Sequence, residues 1–194
     1  LGINAGRLGF MSGLERDELA LLKCLSTGEY EVEERMMITA VVTDKKGEQK
    51  EYQCLNDAVI SRGDLARLID ISVMCEGRPV SDNRADGMIF STPTGSTAYS
   101  LSAGGPILAP KMECILMTPV CPHSLFSRSV LFSGESELSV HVKIPEECCC
   151  VLTIDGEKNV PVLATDRVVI RKSDLKLKLA LLHNRNFYKL LNEK

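Results

Sequence analysis

The sequence predicts a mainly β protein, in which a β-rich, sandwich-like domain follows a short strand and helix. From Met36 onward, short apolar and β-branched runs follow one another at the roughly 8 to 12 residue spacing that is typical of sandwiches. Glycines and prolines fall between the runs, where turns belong. Residues 138–143 and 175–179 alternate apolar and polar side chains, which favours antiparallel strands with one face exposed to water.

The elements can be assigned in chain order. Ser12 and Glu15 have the spacing of a capping box, and leucines recur near helical spacing from Leu14 to Leu25, until Gly28, which predicts one amphipathic helix. We predict strands over residues 36–43, 50–54, 68–76, 87–91, 114–118, 138–143, 151–155, 167–170 and 175–181. The chain therefore divides into a strand and helix (1–28), a β-rich domain (29–178) and a C-terminal tail (179–194).

Composition excludes several classes of protein. The net charge is −3, lysines and arginines are scattered, and five Phe and four Tyr are too few for stacking bases, so we predict no nucleic-acid partner. No apolar run approaches the roughly 18 residues of a membrane span, and nothing resembles a signal peptide. We therefore expect a cytoplasmic protein that has no membrane partner.

The eight cysteines include no CxxC pair and lie mostly in strand-like runs, which favours reduced core thiols over disulfides. The triplet at residues 148–150 could bind a soft metal, but neighbouring residues of a strand point to opposite faces. We predict no metal site in this chain.

The densest motif runs from Arg84 to Pro106. A strand leads into a loop rich in small hydroxyl residues and glycines, and a helix-like segment follows from about Thr97. Small residues let a ligand approach the backbone, and N–H groups at a helix start favour phosphate or ribose oxygens. The loop lacks the lysine of a P-loop, and its residues leave a nucleotide cradle and a plain structural turn both open.

Two shorter motifs carry carboxylates. In Asn56-Asp57, the amide could read an adenine edge and the carboxylate could hold ribose hydroxyls, although the pair is also typical of a turn. Asp155-Gly156 first indicates a hairpin turn, and in a functional interpretation its carboxylate points into a cleft.

Taken together, several motifs resemble the NAD kinase family in the same order and with similar gaps. They span almost the whole chain, and the longest is the specific string TPTGSTAYSLSAGGP. The motifs are GINAGRLGF (2–10), LND (55–57), ADG (85–87), TPTGSTAY (92–99), SAGGP (102–106) and TPVCPH (118–123).

The resemblance implies ATP-dependent phosphorylation of the adenosine 2′-hydroxyl of NAD, which gives NADP. It also implies that residues 1–28 end an α/β N-terminal domain, that residues 29–178 are the NAD-binding domain, and that the tail packs back toward the N-terminal domain. NAD and ATP are the implied substrates, and ATP implies Mg²⁺ or another divalent cation. The resemblance further implies sites that are shared between subunits, and the exposed edges of a β-rich domain need covering. We therefore expect a homodimer or homotetramer.

The resemblance also assigns site residues. Asn56 and Asp57 face the adenosine of NAD, and Asp57 stands where the family usually has Glu. Arg84 and Asp86 contribute from a neighbouring subunit, and Asp155 lies near the reacting phosphates. The adenine and ribose pocket is lined by Thr94, Thr97, Ala98 and Tyr99.

The family's GGDGT motif, whose aspartate is the general base, does not occur in these 194 residues. The catalytic residue is therefore expected outside this chain, and the chain alone is expected to be inactive. Two alternatives stay open: a noncatalytic nucleotide-sensing or assembly module, and a related lipid kinase.

Overall fold

The structure is a computed structural model that describes residues 1–5, 11, 13–63, 68–124, 127–145, 149–182 and 187–192. The chain forms two compact units, one of Leu1–Arg35 with Lys176–Lys194 and one of Met36–Leu175. The predicted domain boundaries after residues 28 and 178 stay predictions.

Twelve strands, β1 to β12 in chain order within the described residues, form two six-stranded sheets. The first sheet has the order β2 (Gln49–Cys54), β1 (Glu31–Thr43), β12 (Arg167–Leu181), β9 (Leu138–Lys143), β4 (Ile69–Cys75) and β5 (Arg78–Ala85). The second has the order β11 (Lys158–Leu163), β10 (Cys149–Ile154), β3 (Asp57–Arg62), β6 (Gly87–Ser91), β7 (Cys114–Val120) and β8 (Val130–Ser133).

Buried side chains from both sheets form one hydrophobic cluster. Ile38 and Ile71 of the first sheet belong to it, as do Ile60, Phe90 and Met117 of the second. Alternate residues of a strand point to opposite faces of its sheet. The face of the second sheet that points away from this cluster therefore carries Asp57, Val59 and Ser61 of β3. The predicted mainly β, sandwich-like fold is confirmed.

The predicted strands agree with the structure where the hydrophobic pattern is strong. In β9, Leu138, Val140 and Val142 are buried while His141 and Lys143 are exposed, as the alternation predicts. Strands β3, β5, β8 and β11 were not predicted, and the predicted runs 167–170 and 175–181 are parts of one strand. Leu175 is exposed. The alternation over residues 175–179 therefore does not mark an apolar face that is fully buried.

The N-terminal segment contains a parallel bridge between Ile3 and Leu14. A 3₁₀ helix over Arg16–Lys23 continues into α1 (Cys24–Thr27), where Gly28 ends it at φ +76°, as a left-handed C-cap does. The capping box joins Glu15 to Glu18, and the predicted cap residue Ser12 lies outside the described residues. Near the C-terminus, α3 spans Phe187–Asn192.

Candidate functional site

Two loops meet at one end of the second sheet because β3 and β6 are neighbours, with Asp57 paired to Ser91. Thr92 joins the loops. Its N–H donates to the Asn56 carbonyl at 2.9 Å, and its hydroxyl donates to the Leu55 carbonyl at 2.6 Å. The same hydroxyl accepts the N–H of Gly95 at 3.1 Å. The TPTGSTAY loop and the Asn56-Asp57 pair are thus held as one unit.

Gly95 allows this close contact. A Cβ at this position would lie 2.0 Å from the carbonyl oxygen of Asn56 and 2.4 Å from its carbon, distances that real side chains do not adopt. The glycine is required by the approach of the two backbones.

The segment after this loop differs from the predicted helix. Gly95–Thr97 is a single 3₁₀ turn, and α2 (Tyr99–Ser102) is four residues long. Hydroxyls compete for the backbone, since Ser96 donates to the Pro93 carbonyl at 2.7 Å and Thr97 to the Thr94 carbonyl at 3.2 Å. The helix-like segment expected from about Thr97 is therefore short, and binding of phosphate or ribose oxygens by its N–H groups stays a prediction.

The β10–β11 hairpin supplies the third part of the site. Its turn carries Asp155 at φ +49° and Gly156 at φ +74°, and the N–H of Glu157 donates to the Ile154 carbonyl at 3.0 Å. Two positive φ angles are what a type I′ turn requires, so the predicted hairpin turn at Asp155-Gly156 is confirmed.

The carboxylate of Asp155 reaches across to the Asn56 loop. Oδ2 accepts the N–H of Leu55 at 2.8 Å, and Oδ1 accepts the N–H groups of Asn56 and Asp57 at 2.7 and 3.0 Å. In return, the N–H of Asp155 donates to the Asp57 carbonyl at 3.0 Å. Four hydrogen bonds therefore tie this hairpin turn to the start of β3.

The environment of Asp57 differs from that of Asp155. Asp57 is 4% exposed, and within the described part of the chain its carboxylate accepts no hydrogen bond. Burial, followed by the nearby charge of Asp155, raises its pKa to about 6, since both effects disfavour the ionised form. Burial and the two carboxylates likewise raise the pKa of the Cys54 thiol to about 12, so this thiol is neutral at physiological pH.

These parts enclose a cavity of about 360 Å³. Five of the nine predicted site residues line it, namely Asn56, Asp57, Ala98, Tyr99 and Asp155. The structure thus brings together residues that lie up to 99 positions apart in the sequence.

The other four predicted site residues do not line this cavity. Thr94 is buried within the TPTGSTAY loop, and Thr97 is half-buried one turn later. Arg84 is exposed on β5, and Asp86 pairs with Arg62 at 3.3 Å. A contribution of Arg84 and Asp86 to a neighbouring subunit stays a prediction.

The sequence reasoning missed four residues that line the cavity: Val59, Ser61, Thr153 and Gly156. Asp57, Val59 and Ser61 are alternate residues of β3, so they share one face of the sheet. The signal that could have found them is the β3 strand itself, whose alternation would place Val59 and Ser61 beside Asp57.

The described residues do not fit a complete site for the divalent cation that ATP would bring. They contain no cluster of three His, Cys, Asp or Glu side chains that could hold a metal ion, and the Asp155 carboxylate is already bonded to three N–H groups.

Among the helices of the described segments, none is long and apolar enough to cross a membrane.

The two-sheet fold thus carries a cavity that is lined by the Asn56-Asp57 pair and by Ala98 and Tyr99 of the TPTGSTAY loop. Residues 55–182 match the family model described as the ATP-NAD kinase C-terminal domain. The chain therefore belongs to the NAD kinase family.

Comparison with curated relatives supports this family membership. The whole chain is 44% identical to the NAD kinase of Magnetococcus marinus, of which it covers 64%. It is 40% identical to the NAD kinase of Natranaerobius thermophilus, of which it covers 68%. The chain thus spans about two thirds of the length of these relatives.

Two solved structures have the same fold. The yeast NADH kinase complexed with NADH has a TM-score of 0.86 and 27% identity over 98% of this chain and 56% of its own. The NAD kinase of Archaeoglobus fulgidus in complex with ATP has a TM-score of 0.80 and 26% identity, covering 100% of this chain and 72% of its own.

Proposed function

We propose that this chain is the dinucleotide-binding part of an NAD kinase, an enzyme that transfers a phosphoryl group from ATP to the adenosine 2′-hydroxyl of NAD. The names of the relatives and the nucleotides bound by the two solved structures support this reaction. One observation carries the proposal: two polar side chains, Asn56 and Asp57, are fixed at a cavity with no hydrogen-bond partner of their own in the described residues.

The chemistry of these side chains suits adenosine. A carboxamide offers a donor and an acceptor side by side, as an adenine edge does. The Asp57 carboxyl, with a pKa of about 6, is ionised at neutral pH and accepts hydrogen bonds from ribose hydroxyls. Tyr99, which is 47% exposed, offers a ring face for stacking on the base, and Ala98 leaves room beside it.

Transfer of the phosphoryl group requires a base for the 2′-hydroxyl proton. In the family this base is the aspartate of GGDGT, a string that these 194 residues do not contain. We expect the chain alone to bind NAD weakly at best and not to form NADP. Mg²⁺ or another divalent cation would neutralise the phosphates of ATP when bound.

Assembly into a homodimer or homotetramer belongs to the same proposal. Strands β5 and β8 lie at sheet edges, and edges favour pairing or coverage by another chain. Arg84, exposed on β5, and Asp86, which directly follows that strand, would then reach the cavity of a neighbouring subunit.

Calorimetric titration of the purified chain with NAD tests the pocket. Asn56→Ala is expected to weaken binding about tenfold, because it removes the donor and the acceptor that face the base. Asn83→Ala is the matched control. Asn83 lies on β5, outside the cavity, and its Oδ1 accepts a hydrogen bond from the Ser127 hydroxyl at 3.0 Å. This substitution should not change NAD affinity. Equal affinities of the two variants would refute the pocket assignment.

A turnover assay with ATP, Mg²⁺ and NAD tests the reaction. We expect NADP only from a longer chain that carries a GGDGT segment. NADP formation by the 194-residue chain would overturn the expected inactivity. A longer chain that binds NAD but never forms NADP would instead favour a nucleotide-sensing module.

A further inference from the structure

We propose that Asp155 is a positioning residue, which holds the backbone of residues 55–57 so that Asn56 and Asp57 face the bound adenosine. This inference rests on the proposed function, because it assumes that these two side chains bind NAD. It assigns Asp155 a role other than direct contact with the reacting phosphates.

The Asp155 carboxylate already accepts most of the hydrogen bonds that it can accept. An ionised carboxylate has about four acceptor sites, and three of them are taken by the N–H groups of Leu55, Asn56 and Asp57 at 2.7 to 3.0 Å. Bonds between a carboxylate and backbone N–H groups are stronger than neutral ones. Asp155 therefore has little capacity left for a ligand, and its negative charge disfavours direct contact with phosphates.

The backbone of the hairpin turn places Asp155 opposite the start of β3. Asp155 directly follows β10, whose Ile154 pairs with Ala58 of β3. The left-handed conformation at φ +49°, which Asp and Asn tolerate better than most residues, turns the chain at this point. The carboxylate then bonds to three consecutive N–H groups of the facing segment, next to the position where the pairing of β10 with β3 ends.

The Asn56 loop is consequently held from two directions. Asp155 binds its N–H groups, while Thr92 binds the carbonyls of Leu55 and Asn56. Between them the backbone of residues 55 and 56 is fixed without the side chain of Asn56, which is left for a ligand. A site that is preorganised in this way loses less entropy when it binds.

Charge adds a second effect of Asp155 on the same site. Among the described residues, the Asp155 carboxylate acts on the Asp57 carboxyl, and the Asp57 charge in turn acts on the neutral Cys54 thiol. The negative charge of Asp155 contributes to the raised pKa of Asp57. A change at Asp155 that removes the charge is therefore expected to lower the pH at which Asp57 ionises.

The test uses Asp155→Asn in the full chain. Asn tolerates the left-handed turn and has nearly the same shape, but it carries no charge and places an NH₂ group against one of the three N–H donors. We expect faster hydrogen exchange at the amides of residues 55–57, a lower pH midpoint for Asp57 by carbon NMR, and about tenfold weaker NAD binding, the loss typical of one charged hydrogen bond.

Asp44→Asn is the matched control. Oδ1 of Asp44 accepts the N–H groups of Lys46 and Glu48 at 2.8 and 2.9 Å in the β1–β2 turn, so the same substitution removes an equivalent backbone contact outside the cavity. This variant should leave NAD affinity and the Asp57 midpoint unchanged. Asp155→Glu retains the charge, but its carboxylate stands one methylene farther from the backbone. This variant should speed hydrogen exchange at the amides of residues 55–57, while the pH midpoint of Asp57 stays high.

The outcomes separate this inference from the proposed function. If the unmodified chain does not bind NAD, the proposed function fails, while exchange and the Asp57 midpoint still test Asp155 in the ligand-free chain. Weaker NAD binding by Asp155→Asn with unchanged exchange at residues 55–57 would make Asp155 a direct ligand contact and overturn the inference. Unchanged affinity, exchange and midpoint would overturn it as well.

Discussion

Replacing Asp57 by Asn is expected to stabilise the fold and to impair NAD binding at the same time. The pKa of Asp57 is about 6 against an ordinary value of 3.8, a difference of about 2 pKa units. At about 1.4 kcal/mol per unit, the ionised carboxylate destabilises the folded chain by about 3 kcal/mol at neutral pH. Asn keeps the shape of the side chain and removes the charge.

The sign follows from proton binding. The folded chain holds the Asp57 proton more tightly than the unfolded chain does, so protonation stabilises the fold below about pH 4, and this contribution is lost as pH rises through about 6. Asp57→Asn should therefore melt at a higher temperature at pH 7, by roughly 6 to 12 °C for a chain of this size. At pH 4 the two melting temperatures should converge.

Thermal melts by circular dichroism at pH 4, 5, 6 and 7 measure this difference, and calorimetry at pH 7 measures the loss of NAD binding. Asp70→Asn is the control, because Asp70 is exposed on β4 and its substitution should change neither quantity. Equal stability of Asp57→Asn and the unmodified chain at pH 7, or a difference that persists at pH 4, would refute the reasoning.

Substitutions at Gly95 and Thr92, each with a control variant, test the contact between the loops. Gly95→Ala, whose Cβ would lie 2.0 Å from the Asn56 carbonyl, should destabilise the chain by about 1 to 3 kcal/mol and weaken NAD binding. Gly104→Ala, with φ +85° and nothing within 4 Å, should cost about 1 to 2 kcal/mol of strain and leave binding intact; equal NAD affinities would contradict the steric argument. Thr92→Val leaves the Leu55 carbonyl unpaired and should lower the free energy of unfolding in urea by about 1 to 3 kcal/mol, while Thr92→Ser should retain most of it. Equal loss in both variants would show that the hydroxyl is not what joins the loops.

The fold could be predicted where a strand carries its own hydrophobic pattern. Strand β9 alternates and β6 is mostly apolar and buried throughout, and both were predicted from the sequence. Strand β5, in contrast, is mostly polar and largely exposed. It is held by seven paired positions with β4, so its extended conformation depends on a neighbour more than on its own residues. Strand β11, with Pro161 in it, lies at an edge of its sheet, where proline is tolerated.

The candidate site could be predicted in part. The Asn56-Asp57 pair and the TPTGSTAY loop each have a local composition that suggests ligand contact, and the structure places both at one cavity. The role of Thr92 could not be predicted, because its partners Leu55 and Asn56 meet it only through the pairing of β3 with β6. The exposed position of Arg84 likewise depends on β5, a strand that the sequence pattern did not indicate.

The two carboxylates at this cavity differ in a way that separates their roles. Asp155 accepts three N–H groups, whereas the Asp57 carboxylate accepts none from the described residues and has its pKa raised to about 6. A buried carboxylate without hydrogen bonds destabilises a fold, and burial beside a second negative charge increases that cost. If Asp57 affected only stability, its substitution would make the fold more stable. The buried carboxylate is therefore explained if a ligand supplies the hydrogen-bond donors that it lacks. Under the proposed function the hydroxyls of a ribose are such donors, and under our inference Asp155 holds the acceptor where they can reach it.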